Sequence, residues 1–231
     1  MSGFTPVIIL ILVMLIHALM RLSPNIFAIF CHSSIAKKSA RRADRLSLYY
    51  ALGTEIAIAL LLVVTFFIVS LIFKNETNAN LPFVWTLFGV LVLESIFSFF
   101  FYFKNRTTRL FLSRRGAKNL VKRAETAMAR KDTFVLGFVT RIAELPFTFP
   151  LFILAAYVAT KSSTIPCSLL TVCYLIIPTI PLAIIYILFH LGHNLAGFQR
   201  FQEKTKLITR LLITFGFITL AALTYAIGAS I

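Results

Sequence analysis

Acidic residues are the scarcest charge class in this chain: eight Asp and Glu stand against 23 Lys and Arg, for a formal net charge of +15. Charged residues of both signs make up only 13% of its 231 residues. That is too few for the solvated surface of an ordinary globular domain, where charged residues reach about 25%. The three cysteines, Cys31, Cys167 and Cys173, form no CxxC pair and no zinc-ligand spacing. They are expected to be small buried apolar residues, and a disulfide scaffold or zinc module is excluded. There is no HExxH, no nucleophile with an accompanying base and no phosphate-cradling glycine loop. An enzyme is therefore not expected, no cofactor is implied, and ATP is not a direct energy source within this chain. The opening residues, MSGFTP, carry no positive leader. The first hydrophobic segment is accordingly expected to be a permanent membrane helix and not a cleaved signal.

Apolar residues are what the chain has in abundance: 59% are hydrophobic, 24 are phenylalanine, and the mean hydropathy is +0.90. A spanning helix needs roughly 20 apolar residues. Six such segments fit, at 4–36, 46–73, 81–103, 133–159, 167–190 and 206–229. The fold class expected is an all-α integral membrane protein with six transmembrane helices.

The excess positive charge is confined to particular loops. Nineteen of the 23 Lys and Arg residues fall in 37–45, 104–131 and 200–210. Charge placed this way sets topology, so these loops are expected to be cytoplasmic and both termini external. Nucleic acid is not expected as a partner. The basic loops are instead expected to face a lipid bilayer with anionic head groups. In the longest loop Leu110, Ala117, Val121, Ala124 and Met128 recur at helical spacing among charges. This predicts an amphipathic helix on the inner membrane surface, joining two halves.

Charge and proline inside the apolar segments are the more informative features. Segment four contains GFVTRIAELPFTFPLF, with Arg141, Glu144, Pro146 and Pro150 in its middle. A charge at bilayer depth costs about 2.5–3.5 kcal/mol, and each proline removes a helical hydrogen bond. A break there is expected to face an internal site, because freed backbone is tolerated at that depth only in protein or beside a cavity. Segment one is interrupted likewise by His17, Arg21, Ser23, Pro24 and Asn25. Setting Pro24 against Pro146 also aligns Phe27 with Phe149 and Phe30 with Phe152. Two proline-interrupted segments at corresponding places point to an inverted repeat around a transport site. The expected organisation is a first three-helix repeat at 1–103, a basic linker at 104–132 and a second repeat at 133–231, with helices one and four broken at proline.

With RLSPNIFAIF in segment one, GFVTRIAELPFTFPLFILAAYV in segment four and HNLAGFQRFQEKTKLITRLLITFGFITLAALTYAIG at the end, the chain resembles the lysine exporter (LysE-type) translocator superfamily. The resemblance implies six helices, early and fourth-helix proline breaks, a bacterial inner (plasma) membrane location and export of a small solute. Many members have Pro-Gly-Pro where Ser23, Pro24 and Asn25 stand here, and Asn-Pro where Leu145 and Pro146 follow Glu144. A basic amino acid is therefore not carried over as the substrate.

Glu144 is the leading candidate for a proton-exchanging group. Its alternative is a salt bridge with Arg141 or Arg21 that holds helices together. Arg141 lies three residues before Glu144, on the same helical face. Glu55 and Glu94 are further acids within apolar segments, and Glu94 has the alternative of snorkelling to the inner end. His17 reads as a hydrogen-bonded core histidine in preference to a metal ligand, and His190 and His193 as boundary residues. Ser23, Asn25 and Thr148 offer neutral contacts to a solute, beside backbone freed at Pro24 and Pro146. The function expected is a secondary transporter exporting a small polar or charged solute, an amino acid or ion, by alternating access with proton or cation coupling. The alternative is a non-transporting membrane subunit whose basic face docks a partner.

Overall fold

The computed structural model describes residues 5–20, 40–73, 81–101, 119–120, 122–124, 126, 129–162, 167–191 and 196–229. Six long helices lie within them: α1 (Thr5–Leu19), α2 (Ala40–Phe73), α3 (Leu81–Phe101), α4 (Arg130–Lys161), α5 (Cys167–His190) and α6 (Ala196–Ala229). Five of these, α2 to α6, are long and apolar enough to cross a membrane. The chain is thus an all-helical protein of membrane character. The described part of α1 has 15 residues, about 22 Å at 1.5 Å per residue, against a hydrocarbon core of about 30 Å. The expected break at Pro24, with Arg21, Ser23 and Asn25, lies outside the described residues.

Two basic loops expected from composition are in part helix. α2 starts at Ala40 and α6 at Ala196, six and ten residues ahead of the apolar segments they lead into. Arg, Lys, Gln and Ala propagate a helix well once it has formed, so charge alone does not end one. In the linker Leu120 and Ala124 are buried, one helical turn apart, while Lys122, Arg123 and Thr126 are exposed.

α4 is the centre of the fold. Residues Leu151, Phe152, Leu154, Ala155, Ala156, Tyr157, Val158 and Ala159 are buried on all sides, as a helix surrounded by others must be. It packs against α1, α2, α3 and α5. The helix is continuous through Pro146 and Pro150, which corrects the expected break. Helix continues on both sides of the prolines, whose missing N–H groups leave the carbonyls of Ile142 and Pro146 without their helical donors, and threonine hydroxyls bond back to other carbonyls of the same helix. Thr148 Oγ1 donates to the Glu144 carbonyl at 3.1 Å, and Thr140 Oγ1 to that of Leu136 at 2.7 Å.

α2 runs parallel to α4 in the most extensive contact of the structure. Its closest point is glycine against backbone: a Cβ on Gly53 would stand 2.2 Å from the Phe134 carbonyl oxygen, and one on Gly137 would stand 2.2 Å from that of Tyr50. Small residues at such positions let membrane helices approach through dispersion and weak Cα–H···O contacts. The contact continues to the far ends, where Lys161 Nζ donates to the Phe73 carbonyl at 3.3 Å. There Phe73, Phe83 and Tyr157 pack ring to ring at 4.5–5.4 Å.

α3 and α6 form the second close pair and run antiparallel. Trp85 meets Tyr225 edge to face at 5.3 Å near one end, Ser95 Oγ donates to the Thr214 carbonyl at 3.3 Å, and Arg210 lies over the Phe99 ring at 4.6 Å. Contacts of α1 with α5 and α6, and of α2 with α5, close the bundle. The lipid-facing sides of α2, α3, α5 and α6 carry large exposed apolar residues such as Val63, Phe67, Phe100, Ile176 and Phe215, which suits a solvent of acyl chains.

Candidate functional site in the core of the bundle

Arg141 and Glu144 point inward from the middle of α4, at 1% and 5% exposure. Residues 141, 144 and 148 lie on one face by their spacing, and all three are buried. Pro146 is two residues from Glu144, some 200° around the helix, and is exposed. The structure therefore removes Pro146 from the buried cluster to which Glu144 belongs. Thr148 is in the buried face, with its hydroxyl bonded to its own helix.

Arg141 Nη1 donates to Glu144 Oε2 and Arg141 Nη2 is paired with His17 Nε2. This ion pair is internal to α4; Arg21, the other partner considered for Glu144, lies outside the described residues. The link between helices passes through the imidazole. A guanidinium offers donors only, so His17 Nε2 must be the acceptor and carry no proton. The neutral ring then holds its proton on Nδ1, which donates to Tyr174 Oη at 3.0 Å. Glu144, Arg141, His17 and Tyr174 form one directed hydrogen-bond chain across α4, α1 and α5.

His17 is fully buried between the Phe152 and Tyr174 rings, with centroids at 5.2 and 5.3 Å. Both ring nitrogens are engaged, in keeping with a core histidine. Arg141 Nε is buried and has no hydrogen-bond partner among the described residues. One donor of the guanidinium is therefore open to an acceptor oxygen. Replacing Tyr174 by phenylalanine would leave the His17 Nδ1–H without its acceptor, and a loss of about 1–3 kcal/mol is expected. Unfolding of the purified variant in detergent checks this; a loss below a few tenths would mean that water reaches His17.

Glu55 is elsewhere. Its Oε2 accepts from Thr179 Oγ1 at 2.7 Å, linking α2 to α5. Both line an open groove of about 520 Å³ with Ile56, Ala59, Ile180 and Ala183. Glu144 is not among the groove's walls, so Glu55 and Glu144 do not share a site here. No group of three His, Cys, Asp or Glu side chains suited to a metal occurs among the described residues.

Tyr174 and Thr179 were not anticipated, and Phe152 entered the sequence reading only through its alignment with Phe30. A tyrosine in an apolar helix is the available signal, since a buried hydroxyl needs a partner; which partner depends on how three helices pack. No family model, no curated protein and no solved structure matches this chain.

Proposed function

We propose that this protein is a secondary transporter that moves a small polar or charged solute across a membrane by alternating access. The observation that carries it is a near-constant spacing in three of the polar bonds between helices; the His17–Tyr174 and Lys161–Phe73 bonds, at 157 and 88 residues, stand outside it. His17 and Arg141 are 124 residues apart, Glu55 and Thr179 are 124 apart, and Ser95 and Thr214 are 119 apart. These bonds join α1 to α4, α2 to α5 and α3 to α6, and their spacing is close to that between Pro24 and Pro146. Constant spacing is expected where each helix of an inverted repeat crosses its counterpart on a pseudo-two-fold axis. The other contacts correspond by element, α2–α4 with α1–α5 and α1–α6 with α3–α4, although α2–α4 is far the more extensive of its pair.

Transporters of inverted-repeat design hold solute near the bilayer midplane, at the repeat interface. The Arg141 network lies halfway along α4 and at that interface. Arg141 Nε would offer a hydrogen bond to an acceptor-bearing solute such as an amino acid or an inorganic anion. Glu144 is the proton-exchanging candidate, its carboxylate held in register by Arg141. Export and the LysE-type likeness rest on the segment-one, segment-four and C-terminal patterns of the sequence, and a bacterial inner membrane on the same likeness.

A second reading is a membrane subunit with a basic docking face. The pairing of Arg141 with Glu144 within one helix favours it, because that charge is already neutralised. Proteoliposomes under an imposed pH gradient separate the two, with amino acids and divalent cations as solutes. Solute-dependent proton flux is expected in the wild type and a loss of at least about tenfold in Glu144→Gln. Unchanged flux in the folded variant would remove Glu144 from the path. Absence of flux with every solute would favour the subunit.

A further inference from the structure

The α3–α6 interface carries a set of oxygen atoms that the fold does not use. Glu94 Oε2, Ser98 Oγ and Thr214 Oγ1 are buried and have no hydrogen-bond partner among the described residues. Ser98 is fully buried and Thr214 is 7% exposed. Glu94 and Ser98 are one helical turn apart on α3, with Ser95 between them. The Ser95 hydroxyl bonds the Thr214 carbonyl, which brings Thr214 of α6 against this same strip. Such groups are rarely left unsatisfied in a core, and each orphan calls for a ligand, an ion or a water.

The facing cation does not supply the missing partner. Arg210 is one turn from Thr214 toward the start of α6, and its guanidinium lies over the Phe99 ring at 4.6 Å. Among the described residues no ion pair involves Glu94, unlike Glu144. Arg210 Nε is itself buried without a hydrogen-bond partner among the described residues, and a carboxylate at bilayer depth outside any ion pair requires a cation or a proton to be neutral.

We propose that Glu94, Ser98 and Thr214 form a binding site for a monovalent hard cation of the sodium class. All donors are oxygen, which selects hard ions over zinc or copper. A single carboxylate matches a single positive charge; a divalent ion would add an uncompensated charge at an interface that already holds the Arg210 guanidinium. Hydroxyl groups of Ser98 and Thr214 replace part of the hydration shell while presenting lone pairs. None of its three residues belongs to the Arg141 network, and it names the coupling-ion class for the transporter reading, on which that coupling role rests.

Binding is read without any gradient, so its failure and the failure of transport are separable. The unfolding temperature of purified full-length protein is measured as NaCl, LiCl or KCl replaces choline chloride at constant ionic strength and pH 8. Sodium is expected to raise it by about 5 °C at saturation, as a ligand selective for the native state does. The shift should vanish in Glu94→Gln and need at least about tenfold more sodium in Ser98→Ala and Thr214→Val. A saturable sodium shift that survives Glu94→Gln would overturn the site. So would a shift equal for all the cations, or stability that depends on pH through Glu94 but not on sodium; the last would make Glu94 a proton site. Should Glu94→Gln not fold, the two hydroxyl variants decide the matter by the same criterion.

Discussion

Replacing Arg141 by methionine is expected to destabilise the protein by about 3–5 kcal/mol, the usual consequence of removing one partner from a buried ion pair. Glu144 would keep its carboxylate in a core where it is 5% exposed, and His17 Nε2 would lose its donor. The double variant Arg141→Met/Glu144→Met should recover most of the loss, because the charge left behind by the single change is gone. Unfolding of the wild type, both single variants and the double variant gives the coupling energy directly. A single-variant loss below about 1 kcal/mol would mean that the pair is hydrated and exerts little of its charge on the core. Stability and transport need not follow each other here. A double variant that is stable yet inactive would separate the ion pair's structural contribution from its part in the path.

The second large effect belongs to the glycines. Gly137→Leu should prevent α2 and α4 from packing, since a Cβ at 2.2 Å from the Tyr50 carbonyl oxygen meets backbone that has no rotamer to change. Gly53→Leu meets the Phe134 carbonyl in the same way. Even alanine at either place is expected to cost about 1–3 kcal/mol through overpacking. Gly89 is the internal control: nothing lies within 4 Å of a Cβ there, so Gly89→Ala should be neutral or stabilise the α3 helix by up to about 1 kcal/mol. Thermal unfolding in detergent, with protease accessibility of the folded bundle, reads all five variants. Equal tolerance at Gly137 and Gly89 would refute the close α2–α4 approach.

The two experiments bear on different levels of the fold. The glycine contact sets the distance between α2 and α4, and thereby the frame on which α4 presents Arg141 and Glu144. The charge network then decides how α1 and α5 register against that face through His17 and Tyr174. Loss of the frame should disable the site as well, whereas loss of the ion pair should leave the α2–α4 contact in place.

Membrane character, the helical class and the segment positions could be read directly from the residues, because a bilayer demands long apolar runs and satisfies backbone groups only within helices. α5 begins at Cys167 and ends at His190, the bounds expected from its apolar run. The inward face of α4 was also legible: Arg141 and Glu144 could not face lipid, and their spacing put them side by side. Helix ends were less so, since the starts of α2 and α6 extend into basic stretches that charge marks as polar but not as irregular.

Tertiary structure alone decided the partners. Hydropathy ranks residues by their preference for lipid, and three intramembrane acids look alike on that scale. Packing distinguishes Glu144 beside an arginine, Glu55 beside Thr179 in a groove, and Glu94 among orphan hydroxyls. The prolines show the same division. Their missing N–H groups are a property of the residue and predict a break, but α4 runs through both because neighbouring helices hold it. Pro146 turns to the outside for a geometric reason, lying two residues from Glu144 on a helix of 3.6 residues per turn. His17 acquires its tautomer only when α4 supplies a donor to one nitrogen and α5 an acceptor to the other. Local chemistry specifies which groups need a partner, and only the assembly of distant segments in space determines which one each receives.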